Sequence, residues 1–177
     1  MDELINRSKK GDEEAFTELI LSIKNDLYKI AKTRLNNDYE INDAIQETII
    51  KSYNHLRKLK DNSKFKSWII KILINECNTI YKKKCKKKRI IDKILMEDNF
   101  NNTDNSIENS DSVIDFNILL ESLNYEEKII ITLFYNNRFT CSEISQILNI
   151  NVNTVKSKLS RTKEKIKKSY KGGVFYE

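Results

Sequence analysis

The sequence of 177 residues contains no proline, three glycines, three cysteines, one histidine and one tryptophan. Each scarcity excludes something. A P-loop, a dinucleotide-binding fingerprint and a nucleophile elbow all need clustered glycines, because only glycine lets the backbone approach a phosphate or turn that sharply. Here Gly11, Gly172 and Gly173 stand near the two ends of the chain. Small β-barrels and sandwiches need turn residues at intervals of roughly ten positions. Between Gly11 and Gly172 there is neither glycine nor proline, so an all-α fold is expected. Cys77, Cys85 and Cys141 are odd in number and show no C-x-x-C spacing. They support neither a zinc site nor a disulfide framework, and buried or half-buried thiols are expected. His55 has no carboxylate or cysteine partner at ligand spacing, and no paired-carboxylate or nucleophile–base arrangement is visible. No catalytic residue, metal or cofactor is therefore expected, and the protein reads as a non-enzyme. No run approaches the roughly 18 apolar residues of a membrane span. The opening MDELINRSKKGDEE lacks the basic-then-apolar order of a secretory signal, so a cytoplasmic location is expected.

What is present in quantity is charge. Asp, Glu, Lys and Arg make up 33% of the chain, with a net charge of +6. The distribution says more than the total. Residues 1–81 are nearly neutral, and residues 82–89, KKKCKKKR, hold seven basic residues and no acid. Residues 90–127 carry one Lys against ten acids, and residues 128–177 carry ten basic residues against three acids. Two basic regions separated by an acidic stretch point to two nucleic-acid contacts joined by a segment that avoids DNA.

Apolar spacing places helices along the first region. Ala15, Phe16, Leu19, Ile20, Ile23, Leu27, Ile30, Ala31 and Leu35 recur at three- and four-residue steps behind a candidate N-cap, Asp12. Asn36-Asn37-Asp38 breaks this run. A second helix carries Ile41, Ala44, Ile45, Thr48, Ile49, Ser52, Tyr53 and Leu56 on one side. After a polar break at 60–63, a long helix starts near Phe65, with Trp68, Ile69, Ile72, Leu73 and Ile80 along it. Residues 97–112, EDNFNNTDNSIENSDS, have the composition of a linker. Val113 to Leu123 and Glu126 to Tyr135 open a second helical set, in which KIIITLFY reads as helix because its surroundings do.

The sharpest motif lies near the C-terminus. Thr140-Cys141-Ser142-Glu143 has the form of a capping box. The short helix SEISQIL, the turn NIN and the basic helix VNTVKSKLSRTKEKIKKSY follow it in helix-turn-helix order. Asn149 stands where glycine is common, and Asn tolerates the left-handed conformation better than most residues. Val152, Val155, Leu159 and Ile166 are expected inward. Asn153, Lys156, Ser157, Ser160 and Arg161 face elsewhere, near the end that enters the major groove. Their chemistry suits bases and phosphates.

Taken together, the two halves resemble a sigma factor of the sigma-70 family, of the small extracytoplasmic-function (ECF) type, over nearly the whole length. Asp43-Ala44-Ile45-Gln46-Glu47 looks like the family's D-x-x-Q-E segment, and FKSWIIKILIN at 65–75 looks like its F-R-x-W-L-x-R-I-A-x-N helix. FTCSEISQILNINVNTVKSKLSRTK looks like its L-S-x-E-E-I-A-x-I-L-G-[IV]-x-x-x-T-V-K-S-R-L-x-R-A pattern. The chain departs from the pattern in four ways. Asn124-Tyr125 stands for Pro-Glu, Asn149 for glycine, Thr79 for Asp or Asn, and Lys66, Lys71 and Lys158 for arginine. Lysine keeps the charge but loses the bidentate geometry.

The resemblance implies two small helical domains joined by a flexible acidic linker, the C-terminal one a helix-turn-helix. Residues 1–89 would melt the promoter and bind core polymerase, 90–112 would be the linker, and 113–177 would read the −35 element. Asp43, Gln46 and Glu47 would meet core RNA polymerase. Lys60, Ser63, Lys71, Asn75 and Trp68 would serve the −10 element, with the loop at 59–64 holding a flipped base. Trp68 fits either a melting wedge or the core. Lys82, Lys83 and Lys84 would bind phosphate, and Asn153, Lys156, Ser157, Ser160 and Arg161 would read the −35 element. The partners implied are core RNA polymerase, promoter DNA and an anti-sigma factor, without membrane insertion. The competing reading is a helix-turn-helix regulator with an N-terminal dimerisation or sensor domain.

Overall fold

The structure, a computed structural model, describes residues 1–97 and 123–171, with side chains at 1–91 and 123–168. Its elements are α1 (Asp2–Lys9), α2 (Glu13–Lys32), α3 (Asp38–His55), α4 (Phe65–Glu97), α5 (Tyr125–Ile131), α6 (Cys141–Leu148) and α7 (Val152–Lys171). Two 3₁₀ turns, Leu56–Lys58 and Asn62–Lys64, join α3 to α4, and one π-helical turn, Thr132–Asn136, extends α5. No strand occurs among the described residues, as the scarcity of turn residues implies.

The helix starts lie where the side chains dictate them. Asp12 accepts from the Ala15 amide at 2.9 Å and caps α2, with Glu13 and Glu14 in the first turn. Such acids complement the positive end of the helix dipole. Asn37 caps α3 by accepting from the Tyr39 and Glu40 amides. The predicted apolar stripe of α2 is buried from Ala15 to Ala31 and continues to Leu35. On α3 the stripe is Ile41, Ala44, Ile45, Thr48 and Ser52. Thr48 is tolerated there because its hydroxyl donates to the Ala44 carbonyl at 2.6 Å. Tyr53, expected on this side, is 41% exposed and meets Phe16 only with a ring edge, at 5.0 Å between centroids. Phe65, Ile69, Ile70, Leu73, Ile74 and Cys77 form the buried face of α4. The helix runs on to Glu97, through the first residues assigned to the linker. The linker beyond it and the Val113 stripe lie outside the described residues.

In the second set, Asn124 and Glu127 form a reciprocal capping box for α5 where the sequence reading noted only a missing proline. KIIITLFY is helical, but it widens to a π turn after Ile131. The Thr140–Glu143 capping box is present, and Asn149 adopts the left-handed conformation at φ 54°. The left-handed form costs a residue with a Cβ about 1 kcal/mol or more. Asn149→Ala is therefore expected to lower unfolding free energy by about 1 kcal/mol, while Asn149→Gly leaves it unchanged or raises it. Urea denaturation of the two variants tests the ordering.

The two helical sets share one hydrophobic core. Ile129, Ile130, Leu133, Ile144, Ile147, Val155 and Leu159 join the cluster built by α1–α4. Contact runs from α6 to α4 and from the π turn to α2.

Candidate nucleic-acid interface

Around this shared core, the proposed contact residues fall into four surfaces. The first is the outer face of α3. Asp43, Gln46 and Glu47 are all exposed, because Ala44, Ile45 and Thr48 take the inward positions between and beside them. Spacings of three and four residues put the three on one face. Tyr39 and Ile50, 84% and 54% exposed, extend that face, and the sequence reading missed both. Ile50 carried a usable signal, since it falls out of phase with the buried stripe. An acidic strip edged with apolar side chains suits a protein partner better than DNA, whose phosphates repel carboxylates.

The second surface is the loop at 59–64 with the start of α4. Lys60 and Ser63 are exposed. Asp61 accepts from both the amide and the hydroxyl of Ser63, at 2.9 and 2.7 Å, and these bonds hold its carboxyl below the usual range. Trp68 is half-buried and lies 6.1 Å from the Phe65 ring, tilted against it. The side chain is thus partly packed against the core and partly exposed. Lys71 and Asn75 are exposed one turn apart on α4, as their spacing requires. The Lys71 ammonium donates to the Gln146 carbonyl of α6 at 3.0 Å, so its head group meets the second helical set here. Lys66, one of the arginine replacements, pairs with Asp26 at 2.7 Å.

The third surface is the lysine run of α4. Lys82, Lys83 and Lys84 are exposed, and Lys84 pairs with Glu40 at 3.0 Å. With Lys86, Lys87, Lys88 and Arg89 they make the helix surface strongly basic over residues 82–89. Exposed lysines of this kind bind phosphate through charge and without base preference.

The fourth surface is α7. Asn153, Lys156, Ser160 and Arg161 are exposed, while Val155, Leu159 and Thr162 are buried beneath them. Ser157 is half-buried and donates to the Thr154 carbonyl at 3.1 Å, which leaves its oxygen able to accept. Lys158 pairs with Glu126 and faces α5, away from the exposed strip. Glu127, only 7% exposed, ties α5 to α7 through Lys165. Burial alone would push its carboxyl up, but Lys165 and the Asn124 amide hold it below the usual range.

Between the sets sits Arg34, which the sequence reading passed over. Its guanidinium lies 3.7 Å from the Tyr81 ring centre and 4.0 Å from that of Tyr125. Its Nε is buried without a hydrogen-bond partner, so the two aromatic faces are its main compensation. Burial pushes the Tyr125 hydroxyl up to about 12 and the nearby Cys77 thiol also to about 12, which leaves that thiol unreactive. Cys85 and Cys141 are half-buried, and all three cysteines are free. Among the described residues no group of three or more His, Cys, Asp or Glu stands close enough to hold a metal.

Comparison with known proteins covers both sets. The family described as Sigma-70 region 2 matches residues 19–86, and Sigma-70, region 4 matches residues 119–166. The chain is 28% identical to the ECF RNA polymerase sigma factor SigW of Bacillus subtilis, over 93% of each chain. It is 25% identical to the ECF RNA polymerase sigma-E factor of Escherichia coli, over 92% of this chain and 90% of that one. Two solved structures share the fold at a TM-score of 0.67. One is CnrH in complex with the cytosolic domain of CnrY, 15% identical over 97% of both chains. The other is the sigma factor RpoE in complex with the anti-sigma factor NepR from Bartonella quintana, 21% identical over 88% of this chain and 96% of that chain.

Proposed function

Because the chain belongs to the sigma-70 family as an ECF-type RNA polymerase sigma factor, a non-enzymatic initiation factor, we propose that it directs core polymerase to one promoter class by dividing the work among its four surfaces. The acidic face of α3 docks on the polymerase. Lys60, Ser63, Trp68, Lys71 and Asn75 open and hold the −10 element. Lys82, Lys83 and Lys84 steady the duplex beside it, and the exposed strip of α7 reads the −35 element. The observation that carries this reading is the combination, in one chain, of the exposed Asp43, Gln46 and Glu47 face with a capped helix-turn-helix whose second helix exposes Asn153, Lys156, Ser160 and Arg161.

The division has a physical logic. Unstacking bases costs a few kcal/mol, which no single lysine–phosphate contact supplies, so melting draws on the polymerase as well as on the loop and α4. Recognition of the −35 element leaves the duplex intact and needs only a helix presented to the major groove. The protein acts in the cytoplasm, where polymerase and chromosome are. No helix among the described residues is long and apolar enough to cross a membrane. An anti-sigma factor holds it inactive until needed, a partner suggested by the NepR complex of its structural neighbour.

The test is reconstitution of the purified chain with core polymerase and a promoter library. Specific transcripts that depend on both proteins are expected. Tight DNA binding by the chain alone, with no initiation, would instead mark a free-standing helix-turn-helix regulator. Within this reading Arg161→Ala is expected to cost about 1–3 kcal/mol of promoter affinity and to relax preference at one −35 position. Equal weakening on all sequences would make Arg161 a phosphate contact.

A further inference from the structure

We propose that α1 is part of the promoter-melting apparatus and that Lys9 is the residue that sets the shape of the loop at 59–64. This rests on the reading that the loop receives an opened −10 base. The family match begins at residue 19, so α1 lies outside it.

Lys9 stands in the last turn of α1 and reaches across to the loop. Its ammonium donates to the Leu59 carbonyl and to Asn62 Oδ1, each at 2.6 Å. Arg57 Nε donates back to the Lys9 carbonyl at 3.0 Å, so the same residue is held at its backbone and at its tip. Asn62 Nδ2 donates to Asn6 Oδ1 at 2.8 Å, one turn earlier on α1. Both ends of the Asn62 amide are thereby engaged by α1. Asp61 is meanwhile engaged by Ser63.

α1 is itself anchored. Ile5 is fully buried, and Arg7 pairs with Asp12 at 2.7 Å. Gly11, at φ 98°, makes the reversal into α2, a conformation that a Cβ would strain. The helix is therefore a fixed wall. Between it and the loop lies a polar cleft of about 530 Å³, with Asp2, Asn6 and Lys9 on one side and Lys60, Asp61 and Ser63 on the other. The size is within the range of small-ligand sites, and its lining is of hydrogen-bonding groups suited to a base edge.

A six-residue loop whose regular structure is a single 3₁₀ turn, Asn62–Lys64, would lose conformational freedom each time it closed on a base. Two bonds donated by Lys9 and one accepted by Asn6 pre-order it, so the cost falls at folding and not at promoter opening. Lys9 acts through Leu59 and Asn62, which makes it a positioning residue.

The experiment uses the full chain with core polymerase, a promoter recovered from the library and its single-base variants across the −10 element. Lys9→Met is expected to flatten the preference at one −10 position about tenfold, with core affinity and −35 preference unchanged. Lys9→Arg, which still donates to two acceptors, is expected to restore most of that preference. A folded Lys9→Met protein with wild-type −10 preference would overturn the proposal, as would a uniform loss over all variants. Should Lys9→Met fail to fold, Asn6→Ala decides: partial flattening at the same position supports the proposal, and an unchanged preference overturns it. Failure of the wild-type chain to initiate would count against the sigma-factor reading on which the proposal rests.

Discussion

Phe65→Ala is expected to remove about 3–5 kcal/mol of unfolding free energy, a large share of the roughly 5–15 kcal/mol that domains of this size possess. Phe65 is fully buried, begins α4 and supports Trp68 from beneath. Truncation leaves a cavity at the buried start of α4. It also cuts the tie between α4 and the loop before it. The Ser63 and Trp68 surface should therefore lose order together with overall stability. Urea denaturation gives the free energy, and the shift in midpoint should come without a change in slope. A loss below about 1 kcal/mol would mean that the start of α4 repacks easily, contrary to the burial described.

Reversing charge on α3 is expected to have the largest effect on function. The double variant Asp43→Arg, Glu47→Arg should weaken binding to core polymerase by at least a hundredfold, since setting like charges against one another across an interface costs several kcal/mol and each factor of ten is about 1.4 kcal/mol. Both side chains are exposed, so the variant should fold as well as the parent. Binding measured against core polymerase, with thermal unfolding alongside, separates the two effects. Unchanged affinity would show that the polymerase uses a different face. A single Ile50→Ala should give a smaller loss in the same assay, because Ile50 sits on that face as an apolar edge.

The parts of the fold that follow from local chemistry were readable from the sequence. The Asp12 cap, the Phe65 start of α4, the Thr140–Glu143 box and the left-handed Asn149 each depend on a few neighbouring residues. α1 escaped because its single fully buried residue, Ile5, gives no periodic stripe, and its N-cap makes no side-chain hydrogen bond. The α5 box, Asn124 with Glu127 three residues on, is equally local, since Asn supplies the cap where the family pattern has proline. The π turn depends on hydrogen bonds shifted by one residue, which apolar spacing does not encode. The contact surfaces divide in the same way. Exposure of Asp43, Gln46 and Glu47 follows from the phase of α3, whereas the link from Lys9 to Asn62 spans 53 positions and leaves no local trace. Arg34 is similar, since the partners that sandwich it belong to distant helices.

The hydrogen bond from Lys71 to Gln146 has a consequence for length scales. It brings Lys71, proposed to serve the −10 element, within 3.0 Å of the helix-turn-helix proposed to serve the −35 element. On straight DNA those elements are about 25 base pairs apart, or roughly 85 Å at 3.4 Å per pair. One molecule cannot span that interval while its two readers touch. On the proposed assignment of the two readers, the folded arrangement is a shut one, and engaging a promoter means prising the halves apart. Separation frees Tyr125 from Arg34 but leaves Tyr81 in place, because Arg34 and Tyr81 lie in the same half. The polymerase, by favouring the spread form, would serve as a lever as well as a platform.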